Sequence, residues 1–171
     1  MKKLIIASLF ALLSLSQSVF ASDYGCKVLL CLSNPAGPEA VSQCVPPIEQ
    51  LWDDLRHHRG FPSCEMGGAS STNYGSNTWA NSGYCAPSLV LLDSASPTDP
   101  SMASCNAQGA INVVIGGALN TRIWWGVGGG ASTTLVETGS ATSYDPTLSV
   151  TNAITAYEAA AASSSGFSSG P

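Results

Sequence analysis

An α+β fold is predicted by three observations. Cysteines cluster around two short helical segments near the N-terminus, β-type apolar runs fill the stretch from residue 110 to 138, and an Ala-rich helical pattern follows. The expected architecture is a disulfide-stapled N-terminal helical hairpin, then a small antiparallel β-hairpin or sheet, then a C-terminal helix.

Residues 1–21 read as a signal peptide. Lys2 and Lys3 form a positive start, residues 4–15 are apolar, and Val19-Phe20-Ala21 place small or modest side chains before cleavage after Ala21. The apolar run is shorter than the roughly 20 residues a spanning helix needs and carries no basic stop-transfer flank. No second long apolar run occurs, so the expected mature chain is soluble, in a bacterial periplasm or outside the cell. Its six cysteines fit an oxidising compartment.

Residues 23–33 read as a first helix, with Asp23 able to cap its start and Asn34-Pro35 to end it. Residues 34–45 are turn-rich. Residues 46–60 form the clearest element: Pro46-Pro47 suit a helix start, and Ile48, Leu51, Trp52 and Leu55 recur on one face. Glu49, Asp53 and Asp54 precede Arg56, His57, His58 and Arg59, an order that complements the helix dipole, and Gly60 is the expected stop. Residues 67–83 turn rich in Gly, Ser and Asn and read as a loop or linker. One buried strand is expected at 88–93. Strands are expected at 110–116 and 121–127, joined through 117–120, and a third at 132–138 after Gly128-Gly129-Gly130. Asp145-Pro146 resembles a cap before a helix over 146–162, carrying Leu148, Val150, Ile154 and Tyr157; the tail 163–171 is expected to be disordered. The organisation expected is therefore signal peptide 1–21, helical hairpin 22–66, linker 67–83, β-rich part with helix 84–162, and tail.

Six cysteines allow fifteen pairings. Within one helix Cys26 and Cys31 point roughly 140° apart, with Cα atoms about 8 Å from each other, which excludes a direct bridge. An antiparallel hairpin favours Cys26 with Cys64 and Cys31 with Cys44, leaving Cys85 for Cys105. A zinc site is the alternative, but only Cys26-x₄-Cys31 is close and no His follows at ligand spacing.

Charge excludes one function class. After signal removal four basic residues, Lys27, Arg56, Arg59 and Arg122, stand against eleven acidic ones, a net charge of −7. No Lys/Arg cluster exists to neutralise phosphates, so direct nucleic-acid binding is not expected. Asp53/His57 and Asp54/His58 are i,i+4 pairs that read as a solvated helix end rather than a metal or acid–base site. No Gly-x-Ser-x-Gly elbow occurs, and residues 126–130 lack the pattern of a phosphate cradle. No catalytic, cofactor-binding or metal residue is assigned. Trp124 and Trp125 face opposite sides of a strand; one is expected in the core, and the other is a candidate partner surface, unless both lie buried between the sheet and a helix.

The block Tyr24-Gly25-Cys26-Lys27-Val28-Leu29-Leu30-Cys31-Leu32-Ser33, then Cys44, then the helix ending in Phe61-Pro62-Ser63-Cys64, resembles the TrbM/KikA family of plasmid conjugal-transfer proteins. The likeness covers residues 23–66, is weaker from Cys105 to Trp125, and does not extend past residue 127. It implies a periplasmic accessory protein of mating-pair formation or type IV secretion, with structural cysteines and no catalytic residues. Its partners would be envelope proteins of the transfer apparatus. Two other classes are a secreted cell-wall hydrolase using Glu65 as its acid, which needs a second carboxylate within about 10 Å, and an exported toxin or immunity-type factor.

Overall fold

The computed structural model describes residues 19–64, 72–81, 83–130, 132–138 and 146–165. It is α+β. Helices α1 (Val19–Leu32) and α2 (Val45–Arg56) come first, then strands β1 (Tyr74–Trp79), β2 (Val90–Leu91), β3 (Ser104–Cys105), β4 (Gly109–Ile115), β5 (Ala118–Trp125) and β6 (Thr134–Thr138), then helix α3 (Pro146–Ser165). β1, β4, β5 and β6 form one antiparallel sheet in the order β1-β4-β5-β6, and β2 pairs with β3 in a second, two-stranded sheet.

The central pair β4–β5 carries apolar side chains on both faces because both faces are covered. Residues pointing one way, Ile111, Val113, Ile123, Trp125 and Val136, pack under the helical hairpin, against Val28, Leu29 and Leu32 of α1 and Ile48, Leu51, Trp52 and Leu55 of α2. Ala110, Trp124 and Leu135 point the other way, into a smaller core with Cys85, Ala86, Leu89 and Ala107. Near-continuous apolar runs are what burial on two faces requires. The turn between β4 and β5 is Gly116-Gly117, both with positive φ (60° and 80°), a backbone that matches the twist of the flanking strands. The connection is thus two residues long and begins earlier than the 117–120 expected.

Three disulfides close the fold: Cys26–Cys64, Cys31–Cys44 and Cys85–Cys105. The first two are the pairs that the hairpin geometry favours, and the third is the pair it leaves. Cys26–Cys64 ties α1 to the segment after α2, and the approach is tight. A Cβ placed on Gly25 would stand 1.8 Å from the Ser63 carbonyl oxygen, so only glycine lets the chain pass there. Cys31–Cys44 joins the end of α1 to the start of α2, and Cys85–Cys105 holds the second core.

Several boundaries move, each for a local reason. α1 already includes Val19, so Asp23 lies inside it and pairs with Lys27 four residues on (2.7 Å) instead of capping the start. α2 stops at Arg56, before Gly60. His58 takes the left-handed conformation (φ 54°), with Arg59 N–H donating to the Asp54 carbonyl (2.8 Å) and His58 N–H to that of Leu55 (2.9 Å). That is a Schellman stop, usually built on glycine; histidine is among the residues that tolerate it. The strand expected at 88–93 shrinks to Val90–Leu91, since Pro87 opens a 3₁₀ turn over Pro87–Leu89. The third strand is Thr134–Thr138. Within the 67–83 stretch, Tyr74–Trp79 forms an edge strand against β4, so this stretch is not linker throughout. α3 reaches Ser165, three residues into the stretch expected as tail, and buries Ser149 and Val150 while Tyr157 stays exposed. The signal-peptide residues before Val19, Asp145 and residues 166–171 lie outside the described residues.

Candidate interaction surface

Trp124 and Trp125 are both 0% exposed, which corrects their reading as a partner surface. The alternation of a strand sends them to opposite faces, and a core covers each face. Their burial instead organises a row of rings that does reach the surface. Trp52 of α2 stacks on Trp125 (centroids 6.2 Å apart), Trp79 meets Trp125 edge-on (5.5 Å), and His58 lies against Trp79 (4.8 Å). Such offset and edge-on pairs are the preferred aromatic geometries. The row is pinned by two indole N–H bonds, Trp52 to Glu39 Oε1 (2.7 Å) and Trp125 to Asn77 Oδ1 (2.8 Å). Trp79 remains 42% exposed, and Tyr74 at the other end of β1 is 52% exposed.

The rim of this corner is the end of α2. Asp53 holds Arg56 (3.6 Å), the His57 Nδ1 (3.3 Å) and Arg59; Asp54 takes Arg59 Nε (2.7 Å) and the Tyr24 hydroxyl (3.0 Å). Burial, reinforced by Asp54, pushes the Tyr24 hydroxyl above the usual tyrosine range, so it stays a neutral donor. The aspartates of the two i,i+4 pairs are thus occupied by arginine. Among the described residues no group of three or more His, Cys, Asp or Glu side chains could hold a metal ion.

The second polar feature lies on the opposite face. Asn112, Arg122 and Glu137 are cross-strand neighbours on β4, β5 and β6. Arg122, only 4% exposed, donates from Nε to Asn112 Oδ1 (2.8 Å) and sits 3.6 Å from Glu137, while Asn112 Nδ2 donates to the Tyr84 hydroxyl (3.2 Å). A buried guanidinium is tolerable only when paired and hydrogen-bonded in this way. The chain of contacts fixes strand register, since a one-residue slip would drive Arg122 into the other core.

Sequence reasoning missed Trp79, Tyr74, Asn77 and the ring contact of His58. The available signal was aromatic residues closing both ends of Tyr74-Gly-Ser-Asn-Thr-Trp79, hidden by the loop-like composition between them. Glu65, on which the hydrolase reading depends, lies outside the described residues.

No protein-family model, curated protein or solved structure matches this chain. Three disulfides fit an exported protein, and among the described residues no helix is long and apolar enough to cross a membrane.

Proposed function

We propose that this chain is a periplasmic accessory protein of plasmid conjugal transfer or type IV secretion, acting through protein–protein contacts and not through catalysis or DNA binding. The observation that carries the reading is the double staple of the helical hairpin. Cys26–Cys64 and Cys31–Cys44 both lie within residues 23–66, on which the resemblance to the TrbM/KikA family rests. Covalent closure of that block supports a rigid module made for an oxidising compartment.

Charge and surface chemistry support contact with proteins. A mature charge of −7 repels phosphate backbones. The half-exposed Trp79, rimmed by the charged end of α2, has the composition of an interface centre with a polar margin, and Tyr74 adds a second exposed ring at the far end of β1.

Deleting the gene from a donor strain tests the reading. Conjugation frequency is expected to fall by an order of magnitude or more, and a wild-type copy in trans should restore it. An unchanged frequency in the deletion strain removes the transfer role.

A further inference from the structure

We propose that β1 is a self-pairing edge, through which two copies of this protein join antiparallel about a twofold axis at Asn77. The inference rests on strand register and not on the conjugal reading. Ala80 N–H donates to the Gln108 carbonyl (3.0 Å), and residues 74–79 continue the same register with β4. In an antiparallel ladder the bonded positions alternate. Tyr74, Ser76 and Thr78 therefore turn their backbone groups toward β4, and Gly75, Asn77 and Trp79 turn theirs outward. Among the described residues nothing pairs with those three outward positions.

Natural edges are blunted by lysine, proline, bulges or inward charges. β1 (Tyr74–Trp79) has none of these: it carries no charge and no proline, and its pairing with β4 is regular over six positions. The opposite edge, β6, carries Glu137. On a chain of mature charge −7, β1 is a segment where two copies can meet without opposing like charges.

The sequence of the edge is complementary to itself. Antiparallel pairing centred on Asn77 sets Trp79 of one copy opposite Gly75 of the other, twice by symmetry. Gly75 has no side chain, and the Phe61 ring packs directly over it. The exposed indole would abut the Phe61 ring that covers that glycine, an aromatic contact across the strand pair. On the other face Ser76 would meet Thr78, a hydroxyl pair that suits adjacent strands. The three outward positions of each copy form bonded pairs, so two four-stranded sheets become one continuous sheet.

Area sets how tight the pair is. Buried aromatic side chains contribute about 150–250 Å² each. Each copy brings Trp79 and Tyr74 with 42% and 52% still free. Added to a six-residue edge, that places the contact near the roughly 1,000 Å² lower bound of specific interfaces, hence a weak, concentration-dependent dimer.

Sedimentation velocity on the mature, disulfide-intact protein tests this. The wild type should shift from monomer to dimer as concentration rises toward the millimolar range. Thr78→Lys and Thr78→Glu change an exposed side chain beside the axis. Each alone should weaken dimerisation by roughly tenfold or more, because two like charges then stand diagonally across the axis on one face, about 7–8 Å apart. An equimolar mixture of the two should dimerise again, which a merely misfolded variant would not do. A wild type that stays monomeric throughout overturns the proposal. So do a Thr78→Lys protein that dimerises as well as the wild type and a mixture that stays monomeric.

Discussion

Replacing Cys26 and Cys64 together by serine is expected to lower the unfolding free energy by about 4 kcal/mol, the entropic worth of closing a loop of this length. The loop spans 38 residues. The same reasoning assigns about 3 kcal/mol to each of the other two bridges, whose separations are 13 and 20 residues. Loop length sets the order, and local packing widens the gap. The segment from Phe61 to Cys64 has no helix or strand of its own, and it is held where Gly25 passes the Ser63 carbonyl. A domain of this size is stable by only about 5–15 kcal/mol, so the double variant loses a large part of its margin. Urea unfolding without reductant measures it. Equal losses for all three double variants would show that loop closure does not govern the staples.

Trp125→Ala is expected to cost about 3–5 kcal/mol, the range for emptying a large aromatic site in a core. Trp125 is fully buried, lies between Trp52 and Trp79, and donates to Asn77 (2.8 Å). Its removal leaves a cavity where α2 meets the sheet and strands the Asn77 carbonyl oxygen. Trp125→Phe keeps most of the ring and should lose about 1–2 kcal/mol, chiefly the hydrogen bond. Trp79→Ala, at a half-exposed ring, should cost less than Trp125→Ala. Denaturant midpoints together with near-ultraviolet circular dichroism check the series. A Trp125→Ala protein as stable as Trp79→Ala would mean that the ring row does not anchor the sheet to the hairpin.

These two effects trace what the sequence made legible. The stripe Ile48, Leu51, Trp52 and Leu55 is helical at its own period, and all four side chains are buried. Cys26 and Cys31 cannot meet along one helix, a constraint that depends only on local geometry. The strands around residues 109–125 were readable because β4 and β5 carry β-branched and aromatic residues on both faces. Tyr74–Trp79 was not readable as a strand. Its stability comes from β4 beside it and from Trp125 beneath it, contacts that local composition does not encode. The stop of α2 at His58 was hidden for a similar reason. Glycine two residues later is the better terminator by propensity, yet the backbone closes first on the Asp54 and Leu55 carbonyls.

Trp124 and Trp125 show where a sound local rule was incomplete. Strand alternation correctly sends neighbouring side chains to opposite faces. Whether the second face is open depends on residues 84–107, which return across the sheet under the Cys85–Cys105 bridge. That covering is a tertiary event, and it moves the exposed aromatic surface from β5 to the edge strand β1.

Non-reducing peptide mapping of the protein recovered from the periplasmic fraction tests the central claim, an exported module held by three specific staples. A mature chain beginning at Ser22 is expected, with three linked peptide pairs, Cys26 with Cys64, Cys31 with Cys44 and Cys85 with Cys105. Free thiols on a chain that keeps its first 21 residues and stays in the cytoplasm would contradict it.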